Sequence, residues 1–192
     1  MRAWRGTAVV LAAVVATAGC ATRKAAVKES PKAASVEQGT GGSAPTGTAR
    51  WIDEALGFQV TRPNDKWQVD VTGDFTPEGI ATPVVMRNQE TGAQVVIQVA
   101  PAVASPVQFA ERLTEGMRSH PGFQTTDPEP VAFSDSAVGF RFAMGDKVNG
   151  RVAVLEGTRG RVLMMLATWP SGAPEETLTG VEEVFRGVQP LK

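Results

Sequence analysis

The sequence predicts a layered α+β domain, and three observations carry the prediction. Short runs rich in Val, Ile, Phe and Trp alternate with Gly-, Pro- and Asn-rich breaks over most of the chain beyond residue 50. Two longer stretches, beginning near Ser105 and Pro174, instead repeat apolar residues at helical spacing. One helix is inserted among strands of antiparallel type and the other closes the chain. That order places helices on a mainly antiparallel sheet and differs from strict βαβ alternation.

The elements follow in order. Gly57-Phe-Gln-Val-Thr-Arg reads as a strand entering a Pro63-Asn-Asp turn, and Trp67-Gln-Val-Asp-Val as the next strand. Pro83-Val-Val-Met-Arg, the turn Asn88-Gln-Glu-Thr-Gly and the run Ala93 to Ala100 make a hairpin. Ser105 is an N-cap, Pro106 suits the first helical position and Gln108 completes a capping box. Val107, Ala110, Leu113 and Met117 then form the apolar face, until His120-Pro121-Gly122 ends the pattern. Val131 to Phe133, Ala137 to Met144, Arg151 to Glu156 and Arg161 to Thr168 are expected as four strands. Gly145 to Gly150 and Gly157 to Gly160 separate the last three as turns. The final helix begins near Pro174, with Glu175 and Glu176 suited to its N-terminal dipole. Leu178, Val181, Val184 and Phe185 are its buried face, and Gly187 is expected as its C-cap.

Ahead of this domain the chain has a different character. Arg2 and Arg5 precede an apolar run from Thr7, which leads to Thr17-Ala18-Gly19-Cys20. A cationic start, a short apolar stretch and small residues before a cut site form a secretory signal peptide. The 13 residues from Thr7 to Gly19 cover roughly 20 Å as a helix, short of the ~30 Å hydrocarbon core, so a permanent span is not expected. The Ala18-Gly19-Cys20 ending resembles the lipobox of bacterial lipoproteins, with Thr17 where Leu is usual. The resemblance implies cleavage after Gly19 and acylation of Cys20. Cys20 is the only cysteine, so no intramolecular disulfide forms and lipidation would consume a thiol otherwise left free.

The expected organisation is therefore a signal peptide over 1–19, a lipid-anchored linker over 20–50 and one domain over 51–192. Ala21 to Arg50 is rich in Ala, Gly, Ser, Thr, Lys and Pro, with Val27 and Val36 its only larger apolar residues, a composition that cannot bury enough surface to fold. Five cations (Arg23, Lys24, Lys28, Lys32, Arg50) and two anions (Glu29, Glu37) give this linker a net charge of +3, against −6 from Trp51 onward. The basic strip serves as a spacer or is drawn to anionic head groups. The acidic domain argues against a nucleic-acid partner.

The run Gly57-Phe58-x-Val60-x-x-Pro63-x-x-x-Trp67 resembles the opening of the PsbP-like superfamily, which includes bacterial envelope lipoproteins of the DcrB type and a Ran-binding nuclear import factor. The resemblance continues through the helix at 105–120, the Val138-Gly139-Phe140-Arg141-Phe142 strand and the closing helix; Lys66 stands where members usually have Gly. It implies an α/β/α sandwich with two main helices on an antiparallel central sheet, and implies no reaction, because fold does not fix function.

Residues that could carry chemistry stand singly. His120 is the only histidine, placed at a helix end with no second ligand type beside it. Ser134-Asp135-Ser136 reads as a turn, and Glu175-Glu176 and Glu182-Glu183 as a solvated helix face. No glycine pattern forms a phosphate loop. Trp67 is expected in the core, Trp51 and Trp169 at its margin or on a binding surface, and Met164-Met165 in a strand with one side chain facing inward. No enzyme, cofactor or metal is expected. The expectation is an envelope lipoprotein facing the periplasm or exterior, with Ala21 after the cysteine favouring the outer membrane. Its domain would bind another envelope protein or serve assembly, or else carry a small or lipid-like ligand between sheet and helices.

Overall fold

A computed structural model describes residues 49–192; the expected signal peptide, Cys20 and the linker as far as residue 48 lie outside the described residues. Eleven strands and two helices follow in the order β1 (Arg50–Asp53), β2 (Phe58–Thr61), β3 (Trp67–Phe75), β4 (Ala81–Asn88), β5 (Ala93–Pro101), α1 (Pro106–Arg118), β6 (Phe123–Thr125), β7 (Glu129–Pro130), β8 (Val138–Met144), β9 (Val148–Glu156), β10 (Arg161–Pro170), α2 (Glu176–Gly187) and β11 (Val188–Pro190). An eight-stranded sheet runs β3-β4-β5-β10-β9-β8-β6, with β7 beside β8, and every pairing in it is antiparallel. A second antiparallel sheet, β1-β2-β11, joins residues from both ends of the domain.

The central strands are apolar on both faces, which is why a helix covers each. Leu163, Met165 and Ala167 of β10 join the core containing Val181, Val184 and Phe185 of α2. The alternate residues Val162, Met164 and Leu166 join Ala110, Leu113 and Met117 of α1 on the opposite face. This is the α/β/α arrangement expected from the sequence, and both Met164 and Met165 are used, one on each side. The α2 face also carries the small sheet, through Phe58, Val60 and Val188. Helix α1 packs chiefly over β6, β8 and β9. The same face of β3, β4 and β5 is lined by Gln68, Asp70, Arg87, Gln94 and Gln98. Arg87 pairs with Asp70 and Gln94 there, and Gln98 donates to Thr82.

Helix α1 is the element most fully dictated by local chemistry. The Ser105 hydroxyl accepts from the Gln108 backbone N–H at 3.3 Å and the Gln108 side-chain Oε1 accepts from the Ser105 backbone N–H at 3.3 Å, the reciprocal capping box. Val107, expected on the buried face, is exposed instead, because that face is centred on Ala110, Thr114 and Met117.

Further expectations need correction. Val131 to Phe133 is not a strand: pairing stops at Pro130, and the chain turns over Val131–Ala137, closed by the Val131 N–H donating to the Ala137 carbonyl at 3.1 Å. The buried Val131 plugs that turn as part of the core. Turn residues expected over 145–150 reduce to Gly145–Lys147, with Gly145 at φ +59°, so Val148–Gly150 lengthen β9. Gly187 does not cap α2 through a left-handed turn; the cap is Val188, extended at φ −90° and ψ 117°. What Gly187 provides is room, since a Cβ there would overlap the Thr61 carbonyl oxygen of β2. Finally, β1, β6, β7 and β11 were not expected, and each is two to four residues long.

Candidate functional site

His120 is exposed at the end of α1, where its N–H donates to the Met117 carbonyl at 3.0 Å. Among the described residues no three His, Cys, Asp or Glu side chains gather closely enough to hold a metal ion. Ser134 and Ser136 stand with their hydroxyls 3.3 Å apart on the rim of an open groove of about 590 Å³, lined also by Phe133, Leu155, Arg186 and Lys192. Trp169, half-buried against the core, edges a second groove of about 340 Å³ with Arg141, Phe142 and Leu178. Both grooves are surface depressions; between the sheet and α2 the space is filled by Phe58, Trp67, Met165 and Phe185, each no more than 1% exposed. Trp67 is thus in the core as expected. Trp51 packs edge-on against Phe58 with ring centroids 5.3 Å apart, so it is a margin of that core.

Among the described residues five ion pairs form, and most charged side chains stand outside them. Glu182, expected on a solvated face, instead pairs with Arg151 across the α2–β9 contact and lies 3.7 Å from Arg186. The Arg151 side chain is only 12% exposed, so this carboxylate neutralises a nearly buried guanidinium. Lys66 meets Glu90 at 2.8 Å. Its ammonium is held above the usual lysine range, first by the hydrogen bond to Glu90 and then by that carboxylate's charge. Glu175, Glu176 and Glu183 remain exposed.

The feature with the least cover is the outer edge of the large sheet. Strand β3 is nine residues long, pairs only with β4 among the described residues, and exposes six of its nine residues. Its sequence alternates from Trp67 to Thr72, with Trp67, Val69 and Val71 apolar and Gln68, Asp70 and Thr72 between them; Gly73 interrupts the apolar row where the register with β4 shifts, and Asp74 and Phe75 follow. Register assigns the faces. Val71 lies opposite Val84 and Phe75 opposite Ala81, both members of the core on the α2 side. Asp70 lies opposite Val85 and Asp74 opposite Thr82, towards the other face. The inner half of the apolar row is used by the core, Trp67 fully and Val69 partly. The outer half is not: Val71 is 58% exposed and Phe75 67%. The strand runs past Val71, the end expected from the sequence, to Phe75 through the irregularity around Gly73.

These features define an α+β sandwich domain with scattered charges and a sheet edge that is unpaired among the described residues. No helix among the described residues is long and apolar enough to cross a membrane. No protein-family profile matches the chain, and no curated protein matches it. Solved structures do. The Ran-binding protein Mog1p of Saccharomyces cerevisiae matches with a TM-score of 0.50 at 10% identity, covering 77% of this chain and 97% of that one. A point mutant of protein Mog1 matches with a TM-score of 0.47 at 12% identity, over 71% of this chain and 92% of that one. Likeness at this identity shows a shared fold and nothing about activity.

Proposed function

We propose that the chain is a lipid-anchored lipoprotein of the cell envelope, exported by residues 1–19 and held through Cys20, whose PsbP-like domain is a non-catalytic protein-binding or assembly module. The observation that carries the binding reading is the β3 edge, a long strand with no partner on one side among the described residues, with Val71 and Phe75 exposed. Exposed apolar side chains on an unpaired strand are an aggregation hazard for a protein with no partner, and a natural contact for one that has one. Mog1p, a Ran-binding protein, shares the fold; the reading takes from it only that this fold can serve protein binding. The packed layers on the α2 side of the sheet favour this reading over a carrier with an interior chamber.

The anchor rests on the leader, the Ala18-Gly19-Cys20 ending and the basic, Gly- and Ser-rich stretch that follows. Two acyl chains or more hold a protein on a membrane essentially permanently. The test combines fatty-acid labelling with affinity capture from native membranes, run on the wild type and on Cys20→Ala. Label and membrane association are expected in the wild type and lost in the variant, with one envelope protein recovered reproducibly. An unlabelled wild type sinks the anchor, and the absence of any reproducible partner sinks the binding module.

A further inference from the structure

We infer that β3 is a strand-addition site for an extended polypeptide segment whose residues alternate basic and apolar. The inference deepens the protein-binding reading above and rests on it.

The terminal strand of a sheet presents a row of unpaired N–H and C=O groups that a further strand can satisfy. The two edges of this sheet are treated differently. On the far side the edge is made of β6 and β7, three and two residues long, which leaves little backbone to pair. The near edge keeps nine residues. Its first five, Trp67 to Val71, run in regular register with β4 before the irregularity between Val71 and Asp74. A strand laid against it would meet two different faces. On the α2 side it would find Val69, Val71 and Phe75, the apolar row left unfinished by the core. On the other side it would find Asp70 and Asp74, with Glu78 exposed in the turn beyond. Asp70 already has Arg87 beside it, whereas neither Asp74 nor Glu78 is ion-paired among the described residues.

This charge pattern selects the occupant. Side chains on adjacent strands lie close enough for opposite charges to attract and like charges directly across to repel. A second copy of β3, added antiparallel with apolar faces matched and full overlap, would crowd its own Asp70 and Asp74 onto the face that already holds this pair. A partner strand with Lys or Arg on that face meets complementary charge. Its alternate residues, necessarily on the opposite face because the side-chain period is two, must be apolar to cover Val71 and Phe75.

The probe is a blocked nine-residue peptide alternating Lys and Val, titrated by fluorescence anisotropy against the full-length chain, with hydrogen exchange followed on the β3 amides. A peptide alternating Glu and Val, and the Lys–Val peptide with every second amide N-methylated, are the controls. The Lys–Val peptide is expected to bind, to lose affinity as salt rises and to slow exchange between Gln68 and Phe75. Both controls are expected to bind at least tenfold more weakly. Asp74→Lys, at an exposed position, is expected to weaken binding at least tenfold; Val71→Lys, also exposed, gives an independent reading if the first variant fails to fold. Equal affinity for the Lys and Glu peptides, slowed exchange elsewhere than β3, or no binding at millimolar peptide overturns the inference. So does protection of β3 in the free full-length chain that disappears when residues 20–48 are deleted, since the basic stretch of the chain itself is then the occupant. Concentration-dependent dimerisation that protects β3 overturns it in favour of a second copy. Each of these results leaves partner capture as a separate measurement, so the wider protein-binding reading stands or falls independently.

Discussion

The two glycines of α2 should respond in opposite directions to the same substitution. Gly180 lies in the helix interior, where a Cβ would have Trp67 Cζ2 and Nε1 at 3.7 Å, an ordinary van der Waals contact. Replacing an interior helical Gly with Ala gains about 1 kcal/mol in helix propensity, so Gly180→Ala should stabilise by that amount. At Gly187 the Cβ would overlap the Thr61 carbonyl oxygen, with the Thr61 carbonyl carbon at 3.4 Å and amide nitrogen at 3.5 Å behind it. That obstacle is the backbone of β2, held between β1 and β11, so it cannot rotate away as a side chain would. Overpacking of this kind costs about 1–3 kcal/mol, and the propensity gain is small at the last helical residue, leaving a net loss of about 2 kcal/mol. The two variants should therefore differ by about 3 kcal/mol. With an m-value near 2 kcal/mol/M in urea, their midpoints separate by about 1.5 M. Urea unfolding followed by tryptophan fluorescence measures this directly, with Trp67 as the buried reporter. A Gly187→Ala midpoint at or above the wild-type value refutes the close-approach account of Gly187, and a destabilised Gly180→Ala refutes the packing ascribed to Trp67.

Three further outcomes follow from single sites. Thr177 is 3% exposed and its buried hydroxyl has no hydrogen-bond partner among the described residues, so Thr177→Val should stabilise by about 1 kcal/mol, read as a rise in the urea midpoint. Glu182→Ala strands the nearly buried Arg151 guanidinium and should cost about 2 kcal/mol, below the cost for a fully buried pair because Glu182 is itself 30% exposed; the double variant Arg151→Met, Glu182→Leu should recover most of that loss. For Lys66, Glu90→Gln removes the hydrogen bond and charge that raise the ammonium pKa. NMR titration should then show the pKa falling towards the ordinary lysine range. Because the folded-state pKa is the higher, the pair stabilises fully below the unfolded lysine pKa and fades as pH rises through the folded one.

What could be read from the sequence tracks how local its physical cause is. The Ser105–Gln108 capping box is a matter of four consecutive residues and appears as expected. The hairpin at Asn88–Gly92 is likewise local, with the Asn88 side chain accepting from the Glu90 N–H at 3.0 Å and Gly92 at φ +69°. Strands β1, β6 and β11 have no such signal: three or four residues show no period, and their existence depends on partners far along the chain. Gly187 shows a subtler failure. Its position past an apolar helical face suggests a cap, yet the requirement for glycine comes from Thr61, 126 residues earlier. The β3 edge was half legible. Its alternation is written in the sequence, but which strand ends the sheet is a property of the order β3-β4-β5-β10, where β10 inserts beside β5 after a helix and four strands have intervened.

The small sheet has a consequence for the timing of folding. Strand β2 takes β11 as its second neighbour, setting Val60 against Val188 and Phe58 against Pro190, while the Leu191 N–H donates to the Gly57 carbonyl at 2.9 Å. A chain emerging from its N-terminus, whether from a ribosome or through a narrow channel, can form the β3–β4–β5 meander early. It holds Phe58 and Val60 uncovered until the last residues arrive. Contacts of such long sequence separation slow the search for the native state and prolong the exposure of apolar surface. Loss of β11 alone would leave most of the core in place and still remove the strand that closes the small sheet, so β2 is completed only when Val188–Pro190 dock on it.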